Sequence, residues 1–409
     1  MSDPAPGTDR EVVLVSNGPG ELLTWAKPVF DALRTHDPDL PVRIALIPCQ
    51  FASGREAEIA GTFGADAVTT PAQFLRTVPA GRAPAGLGAA RGVVLQVGGG
   101  VQHAAALAAR LGHPLHRYAF TAHRHRRVAR LYVPDARTAR RAVRRGTPSA
   151  RVEVAGNLVA DVLQDTPPTP DAGTPHLLVM PGSRDAFARV LIPAFLAVVD
   201  ALAPHHPDAR FVWPVSRMLS DAAIRDGIAG TDAAVLGGVG GRRDGDVVVT
   251  PSGGRVEMVP DTGRHPHLRA ADLALTIPGT NTLELGVAGI PALVVLPMNA
   301  PERIPLEGAG HWLGLLPWVG PPLKRAAVRT FVERLDQPVS LPNRIADDAP
   351  FEEVKGVVEP TDLARRLDAM LADPADLADR RARLAASMPR PGAAATVVQG
   401  VLAALGGAP

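Results

Sequence analysis

Two α/β lobes, each a parallel sheet doubly wound with helices, are what this sequence predicts. Short apolar runs of strand length alternate with stretches of helical periodicity, and the turns between them are glycine-rich. The segment Asp165-Thr-Pro-Pro-Thr-Pro-Asp-Ala-Gly-Thr-Pro175 puts four prolines in eleven residues with no apolar periodicity, and so divides the chain in two. Beyond it the alternation restarts. Two similar lobes imply a cleft between them, the usual place for a ligand.

The elements follow in order. Residues 1–10 read as a disordered tail. Glu11 to Ser16 is a buried strand closed by Asn17-Gly18-Pro19-Gly20, and a helical pattern follows at Leu22, Leu23, Ala26, Phe30 and Leu33. Pro28 falls inside that pattern and should kink the helix or shift its start. Val42 to Pro48 is the next strand and Ala52 to Phe63 the next helix. Ala67-Val68 is a short strand, Arg91 to Val97 another, ending in Gly98-Gly99-Gly100, and Val101 to Leu111 is its helix. Leu115 to Phe120, Leu131 to Val133 and Val152 to Val154 complete the first half.

After the proline segment, Leu177 to Met180 and Arg210 to Trp213 are strands, each tied to a helix. Val247 to Thr250 and Arg255 to Val259, flanking Pro251-Ser-Gly-Gly254, read as a hairpin. Leu273 to Ile277 resumes the parallel pattern, Thr280 to Ala288 is a helix and Ala292 to Leu296 a strand. Residues 300–330 are irregular. Thr361 to Leu371, Ala375 to Ala385 and Ala393 to Leu405 are the closing helices. The expected division is 1–10 tail, 11–165 N-terminal lobe, 166–175 linker, 176–358 C-terminal lobe and 359–409 C-terminal helices.

Composition narrows the function classes. At 409 residues and 46% hydrophobic content the chain is globular. Its favoured Ala, Pro and Arg read as a coding bias. A formal net charge of +2 argues against a general nucleic-acid binder. The single Cys49 excludes an intrachain disulfide and a cysteine-based zinc cluster, and following Ile44 to Ile47 it should be a core residue. The N-terminus has neither the basic start nor the apolar stretch of a signal peptide. No run approaches the roughly 18 apolar residues that span a bilayer, so a cytoplasmic location is expected.

Two turns carry the chemistry. In His176-Leu-Leu-Val-Met-Pro-Gly-Ser-Arg184 a buried strand breaks at Gly182 and enters a helix with Ser183 and Arg184 at its mouth. Such a mouth presents backbone N–H groups and the positive end of a dipole to an anion. In Thr276-Ile-Pro-Gly-Thr-Asn-Thr-Leu-Glu-Leu-Gly286 a strand ends before Gly279, Thr280 and Thr282 bring hydroxyls to a second mouth, and Glu284 lies one turn in. One mouth could face a diphosphate while the carboxylate accepts bonds from ribose hydroxyls; each alone could be plain N-capping. With an arginine that can fork onto phosphate, the pair predicts a nucleotide-type anion site.

Here the motifs resemble a family. Pro181-Gly182-Ser183-Arg184, Gly279-Thr-x-Thr-Leu-Glu284 and Val339-Ser-Leu-Pro-Asn343 resemble, in order and spacing, motifs of lipid-A-disaccharide synthase. Ala155-Gly156-Asn157-Leu158-Val159-Ala160-Asp161 resembles its interdomain Gly-His-x-x-x-Asp segment, and Phe351-Glu-Glu-Val354 its tail. The resemblance is specific over about 150–360 and looser before. It implies a GT-B fold: two Rossmann-like doubly wound lobes with a cleft between them and a C-terminal helix crossing back to the first. It also implies a UDP-sugar held as co-substrate by the C-terminal lobe, with no cofactor and no metal, and an acceptor held by the N-terminal lobe. Carried over, the UDP-sugar contacts are Gly182, Ser183, Arg184, Gly279, Thr280, Thr282, Glu284 and Asn343, and the acceptor-lobe loop is Asn17, Gly18 and Gly20.

The N-terminal half departs from that pattern. The family's first loop reads roughly Gly-Glu-x-Ser-Gly-Asp, whereas this chain has Ser16-Asn-Gly-Pro-Gly-Glu21. The family's strand-end catalytic aspartate should fall near 98–103, where Val97-Gly-Gly-Gly-Val-Gln-His103 stands instead. This resembles the divergent lipid-A-disaccharide synthase-related group. Candidates for the vacated base are Glu21 beside the glycine loop, His103 after three glycines, and Asp135, which reads more readily as the start of the following helix. Each has a plain alternative: a first-turn acid, a capping histidine, an N-cap.

The Arg117 to Arg151 segment holds eleven Arg against one acid, Asp135: solvated helix faces, or a basic patch for anionic lipid head groups at the inner face of the membrane. Asp244-Gly-Asp246 mimics a metal-binding Asp-x-Asp, but no second ligand set supports it. The expected function is an inverting, metal-independent glycosyltransferase moving a hexosamine-type sugar from UDP to a lipid-linked or membrane-proximal acceptor. The alternatives are a UDP-sugar 2-epimerase of the same fold and a non-catalytic nucleotide- or lipid-binding homologue; a homodimer is left open.

Overall fold

The computed structural model describes residues 9–48, 54–163, 174–261, 264–299 and 337–406. The expected tail up to residue 8, Cys49, nearly all of the proline-rich linker and the irregular 300–330 stretch lie outside the described residues. The chain divides into two compact units, Met1–Gln164 with Pro389–Pro409, and Asp165–Met388.

In the first unit seven strands form one sheet: β1 (Arg10–Ser16), β2 (Val42–Leu46), β3 (Ala67–Thr69), β4 (Arg91–Gln96), β5 (Leu115–Tyr118), β6 (Val128–Val133) and β7 (Val152–Val154). Their order is β3-β2-β1-β4-β5-β6-β7, and every pairing is parallel. The central strands β1 and β4 carry the continuous apolar runs Val12–Val15 and Val93–Leu95, which are buried on both faces. One face buries Val13, Val15 and Val94 against Ala104, Leu107 and Ala108 of the helix Val101–Leu111. Each buried aliphatic side chain contributes about 1.5–3 kcal/mol by leaving water.

The predicted disturbance at Pro28 takes a defined form. The helix after β1 begins at Pro19–Glu21, widens into a π-turn over Leu22–Ala26, and resumes as Lys27–His36 with the proline in its first turn. A proline there lacks only an N–H that a fresh helix start would leave unbonded, so the irregularity falls just before it.

In the second unit β8 (His176–Met180), β9 (Arg210–Val215), β12 (Arg255–Pro260), β13 (Leu273–Thr276), β14 (Ala292–Pro297) and β15 (Glu352–Gly356) are parallel. They are extended at one edge by β10 (Arg242–Asp244) and β11 (Val247–Val249). The order is β10-β11-β12-β9-β8-β13-β14-β15, with β10-β11 and β11-β12 antiparallel. The expected hairpin is thus β11–β12, closed by a bond from Thr250 N to Gly254 O. Asp244 and Asp246 bracket the neighbouring β10–β11 turn, exposed and beside Arg242 and Arg243. The helix Asp185–Leu202 is apolar nearly all round, and it packs against Asp221–Ala229 and Pro360–Leu371 as well as the sheet.

The C-terminal helices correct one expectation. Residues 359–409 do not all return to the first unit: Pro360–Leu371 packs on Asp185–Leu202, and Pro374–Ser387 packs beside Thr280–Val287 and Leu341–Ala346. Only Ala393–Gly406 joins the first unit, against Lys27–His36 and β4. Gly400 there leaves the space that the Tyr132 phenol fills. Asp161 carboxylate oxygens accept bonds from Gly392 N and Ala394 N, capping that last helix from elsewhere in the chain. Amphipathic periodicity fixes that a helix has an apolar face, not which sheet the face meets.

Candidate functional site

In each sheet the strand order reverses between two neighbours, β1 and β4 in one and β8 and β13 in the other. In doubly wound sheets ligands bind outside the C-terminal ends of the strands at this switch point. Both glycine turns singled out in the second half lie there. β8 leads into Pro181-Gly182-Ser183-Arg184 and its parallel neighbour β13 into Ile277-Pro278-Gly279. Gly182 has φ +102°, and a Cβ on it would stand 2.8 Å from Ile277 Cδ1. The turns therefore touch, and only glycine fits.

Arg184 occupies the N-cap of Asp185–Leu202 and Gly279 that of Thr280–Val287, and neither of these two residues caps its first turn with a side chain. Ser183, Arg184 and Gly279 are exposed, while Gly182 and Thr280 are half-buried. Asp185, a carboxylate at the first mouth, is bonded by Ser220 N (2.9 Å) and Ser220 Oγ (2.6 Å). Two uncapped helix starts with an arginine beside them make a positive, donor-rich edge suited to phosphate oxygens.

Three predicted contact residues are occupied within the protein. Glu284 is buried, and Arg264 forks onto it, Nε to Oε2 at 3.1 Å and the Nη2 nitrogen to Oε1 at 3.2 Å. Thr282 donates its hydroxyl to Gly279 O (2.7 Å) and accepts from Leu341 N (3.3 Å), tying the helix mouth to the Leu341–Ala346 helix. Asn343 does not face a ligand with its amide. Its Nδ2 donates to Phe351 O (3.0 Å) and Glu353 Oε1 (2.9 Å), and its Oδ1 accepts from Phe351 N (2.9 Å). The Asn343 amide closes the turn that carries β15. Glu353 gathers that turn, accepting also from Val339 N, Ser340 N and Ser340 Oγ. Burial would raise its carboxyl, but the bonds from Ser340, Val339 and nearby Lys355 outweigh it and hold it below the usual range.

At the switch point of the first unit, Asn17-Gly18-Pro19-Gly20-Glu21 follows β1 and Gly98-Gly99-Gly100 follows β4. The two loops are packed together: a Cβ on Gly98 would lie 3.1 Å from both Asn17 Oδ1 and Glu21 Cβ, and 3.2 Å from Ser16 Oγ. The Glu21 carboxylate folds back over Gly18. Ser16 Oγ, Asn17 Oδ1, Gln96 Oε1, Trp25 Nε1 and His103 Nδ1 are buried with no hydrogen-bond partner among the described residues. Five such atoms around two strand ends are unusual, since buried polar groups are nearly always bonded. The Trp25 ring packs on Tyr118 and Phe120, the latter partly exposed. His103, in the first turn of Val101–Leu111, lies edge-on to Phe74 (5.9 Å between centroids). Asp135 caps Ala136–Arg144 through Thr138 N (2.7 Å) and Thr138 Oγ1 (3.0 Å), so of the three candidate bases it is the helix starter.

Sequence reasoning missed Arg264, the Glu353 node and Arg217. Arg217 donates from Nε to Asp261 Oδ1 (2.9 Å) and from its backbone N to Asp261 Oδ2 (3.0 Å), beside the Asp261 carbonyl that Arg264 also bonds. A guanidinium in an arginine-rich chain gives no signal of its own. The position of Arg217 and Asp261 just past β9 and β12, on the same edge as Gly182 and Gly279, was the readable clue.

No family model matches the chain. Among solved structures it is similar over nearly its whole length to a UDP-N-acetylglucosamine 2-epimerase (11% identity, 96% of this chain and 95% of that one, TM-score 0.55). It is similar also to the Neisseria meningitidis UDP-GlcNAc 2-epimerase bound to UDP-GlcNAc (14%, 96% and 99%, TM-score 0.51). The third is CalG4, the calicheamicin glycosyltransferase (16%, 97% and 98%, TM-score 0.51). The class is thereby defined: an α/β protein of two Rossmann-like units with the GT-B fold.

In sequence the chain is related to lipid-A-disaccharide synthases. It is 29% identical to that of Ruegeria pomeroyi over 207 residues (49% of this chain, 41% of the relative) and 31% identical to that of Anaeromyxobacter sp. strain K over 123 residues (30% and 27%). The match spans less than half the length of these curated relatives. Among the described residues no helix is long and apolar enough to cross a membrane.

Proposed function

We propose that this chain is a metal-independent, inverting glycosyltransferase that moves a hexosamine-type sugar from UDP to a lipid-linked or membrane-proximal hydroxyl acceptor. The observation that carries the reading is the pair of touching, uncapped helix mouths at the β8–β13 switch point, with Arg184 at one and Glu284 behind the other. The sequence relationship to lipid-A-disaccharide synthases supports it.

On this reading Arg184 and the N–H groups behind Ser183 and Gly279 bind the diphosphate and stabilise the charge that grows on it as the anomeric C–O bond breaks. Ser183 and Thr280 add hydroxyl donors, and Gly182 lets the backbone approach. Glu284, oriented by Arg264, accepts from the ribose. Glu21 takes the proton of the acceptor hydroxyl as its oxygen bonds the anomeric carbon from the side opposite the leaving UDP. His103 and the Asn17, Gly18 and Gly20 loop line the acceptor side.

The exposed guanidiniums of Arg124, Arg126, Arg127, Arg137, Arg140, Arg141 and Arg144 favour an anionic surface such as the inner face of the membrane.

Calorimetry with UDP tests the donor site. Arg184→Ala is expected to abolish binding, and unchanged affinity would sink the assignment. Glu21→Gln should keep UDP affinity and lower kcat by about 10²-fold or more. UDP released only when a lipid acceptor is present separates transfer from 2-epimerisation. Bound UDP without release in any mixture would leave a nucleotide-binding homologue.

A further inference from the structure

The amide at the end of β4 is out of keeping with its strand. Gln96 is 1% exposed, and the residues around it, Val93, Val94, Leu95 and Val97, are apolar and fully buried. In register it lies between Val15 of β1 and Arg117 of β5, at the centre of the sheet. Its Nε2 turns forward and donates to Gly98 O (3.2 Å) and Gly99 O (2.6 Å). Only the nitrogen end of an amide can meet two carbonyls, so the orientation of the group is fixed. Its Oε1 is buried with no hydrogen-bond partner among the described residues. A buried acceptor left unbonded destabilises the fold, and a Leu or Val at this position would bring none. Stability alone therefore does not account for the glutamine; what the position retains is a donor.

That donor holds the turn Gly98-Gly99-Gly100. Three glycines in succession have wide backbone freedom and no side chain with which to anchor themselves. Among the described residues, Gly98 and Gly99 make no hydrogen bond other than the two from Gln96. The turn is tied at its ends by Val97 N to Val15 O (2.9 Å) and by His103 N to Gly100 O (3.2 Å). Gly99 adopts φ +74°, and a Cβ there would run into Ile47 Cδ1. Gly98 backs the first-turn acid, since a Cβ on it would stand 3.1 Å from Glu21 Cβ. A turn that shifts by an ångström would therefore take away the wall on which Glu21 rests.

We propose that Gln96 is a positioning residue: it clamps the glycine turn that backs Glu21, and through Glu21 it acts on removal of the acceptor proton. The inference rests on the glycosyltransferase reading for the role of Glu21, whereas the clamp itself does not. Misplacing a reacting group by about 1 Å can slow a reaction by about 10²-fold, so a residue that touches no substrate can matter this much. The donor turns belong to the second unit and lie outside its reach.

Gln96→Met removes the donor at nearly the same volume and tests the proposal in the full chain. In UDP release from UDP-N-acetylglucosamine with membrane lipid extract, kcat should fall about tenfold or more. KM for the UDP-sugar and UDP affinity by calorimetry should stay within about twofold, a split that general loss of structure would not give. In a Glu21→Gln background the same substitution should cost less than about twofold further, because the group it positions is gone. Gln96→Asn, which keeps a core amide but withdraws it by one methylene, serves if Gln96→Met does not fold, with the same losses expected. Hydrogen exchange reads the clamp without turnover: the amides of Val97 and His103 should exchange about tenfold faster or more in the variant, and those of β13 should not change. Unaltered exchange at Val97 and His103, or a loss of kcat that multiplies in full with that of Glu21→Gln, overturns the proposal. Glu21→Gln as fast as wild type overturns it too, by removing the group it acts through. A wild type that releases no UDP in any mixture refutes the glycosyltransferase reading instead, and exchange alone then decides the clamp.

Discussion

Arg264 and Glu284 form an ion pair at 3.0 Å with side chains 12% and 5% exposed, joining the segment after β12 to the helix after β13. Because both charges are nearly out of water, removing one strands the other. Arg264→Leu is expected to cost about 3–5 kcal/mol, while Arg264→Leu with Glu284→Leu together should cost less than either alone. Denaturant melts of the four proteins of that cycle measure it, and additive losses would refute the coupling.

Asn343 belongs to the scaffold by its bonds. Asn343→Ala leaves Phe351 N and a lone pair of Glu353 without partners, so stability should drop by about 1–3 kcal/mol. UDP affinity of the folded protein should stay within about twofold, by the same reasoning that places no amide group on the ligand. A large loss of affinity with unchanged melting would restore Asn343 to the donor site.

Stability should depend on pH through buried imidazoles. His116 and His176 are both pushed down to about 4, by burial first and then by Arg130 and Arg210 respectively. The unfolded rings take up protons near 6.5, so the unfolded state binds more protons between about 6.5 and 4. Stability is therefore full above that window and is lost as pH falls through it, by up to about 1.4 kcal/mol per pH unit for each ring. Melting temperatures across this range should fall with acid, and His176→Phe should flatten the slope; a slope the same in the variant would count against it.

Putting a carboxylate back at the β4 strand end should not rescue activity. The Cβ of Gly98→Asp would crowd Asn17 Oδ1, Glu21 Cβ and Ser16 Oγ at 3.1–3.2 Å. Overpacking of this kind costs about 1–3 kcal/mol and would displace the Glu21 loop. UDP release with a lipid acceptor should be lower in Gly98→Asp than in wild type; higher turnover would mean that the position still serves a base.

The crests of both sheets were readable because glycine ends an apolar run abruptly, and chain reversal leaves few other ways to enter a helix. Gly182, Ser183, Arg184 and Gly279 stand on one edge for that reason. What a side chain meets across the fold was not readable. Nothing in the sequence around Glu284 announces the Arg264 that forks onto it, and Asn343 looks the same whether or not its amide is held by Phe351. Pro360–Leu371 carries the periodicity of a packed helix without naming its partner, so the sequence does not separate it from the helix Ala393–Gly406 that joins the first unit. Arg117 is one of eleven arginines between residues 117 and 151, and only its burial sets it apart.

The placement of Ala393–Gly406 has a consequence for how the chain is made. Val397, Val398 and Val401 fill the first unit, and Asp161 caps their helix, yet more than two hundred residues of the second unit are translated in between. On the ribosome the earlier segment emerges first but must wait with that apolar groove open, while Asp165–Met388 has all of its own strands available. Of these two units, the one translated first is therefore completed after the other, and a nascent chain stalled before residue 393 exposes a sticky surface for chaperones to shield.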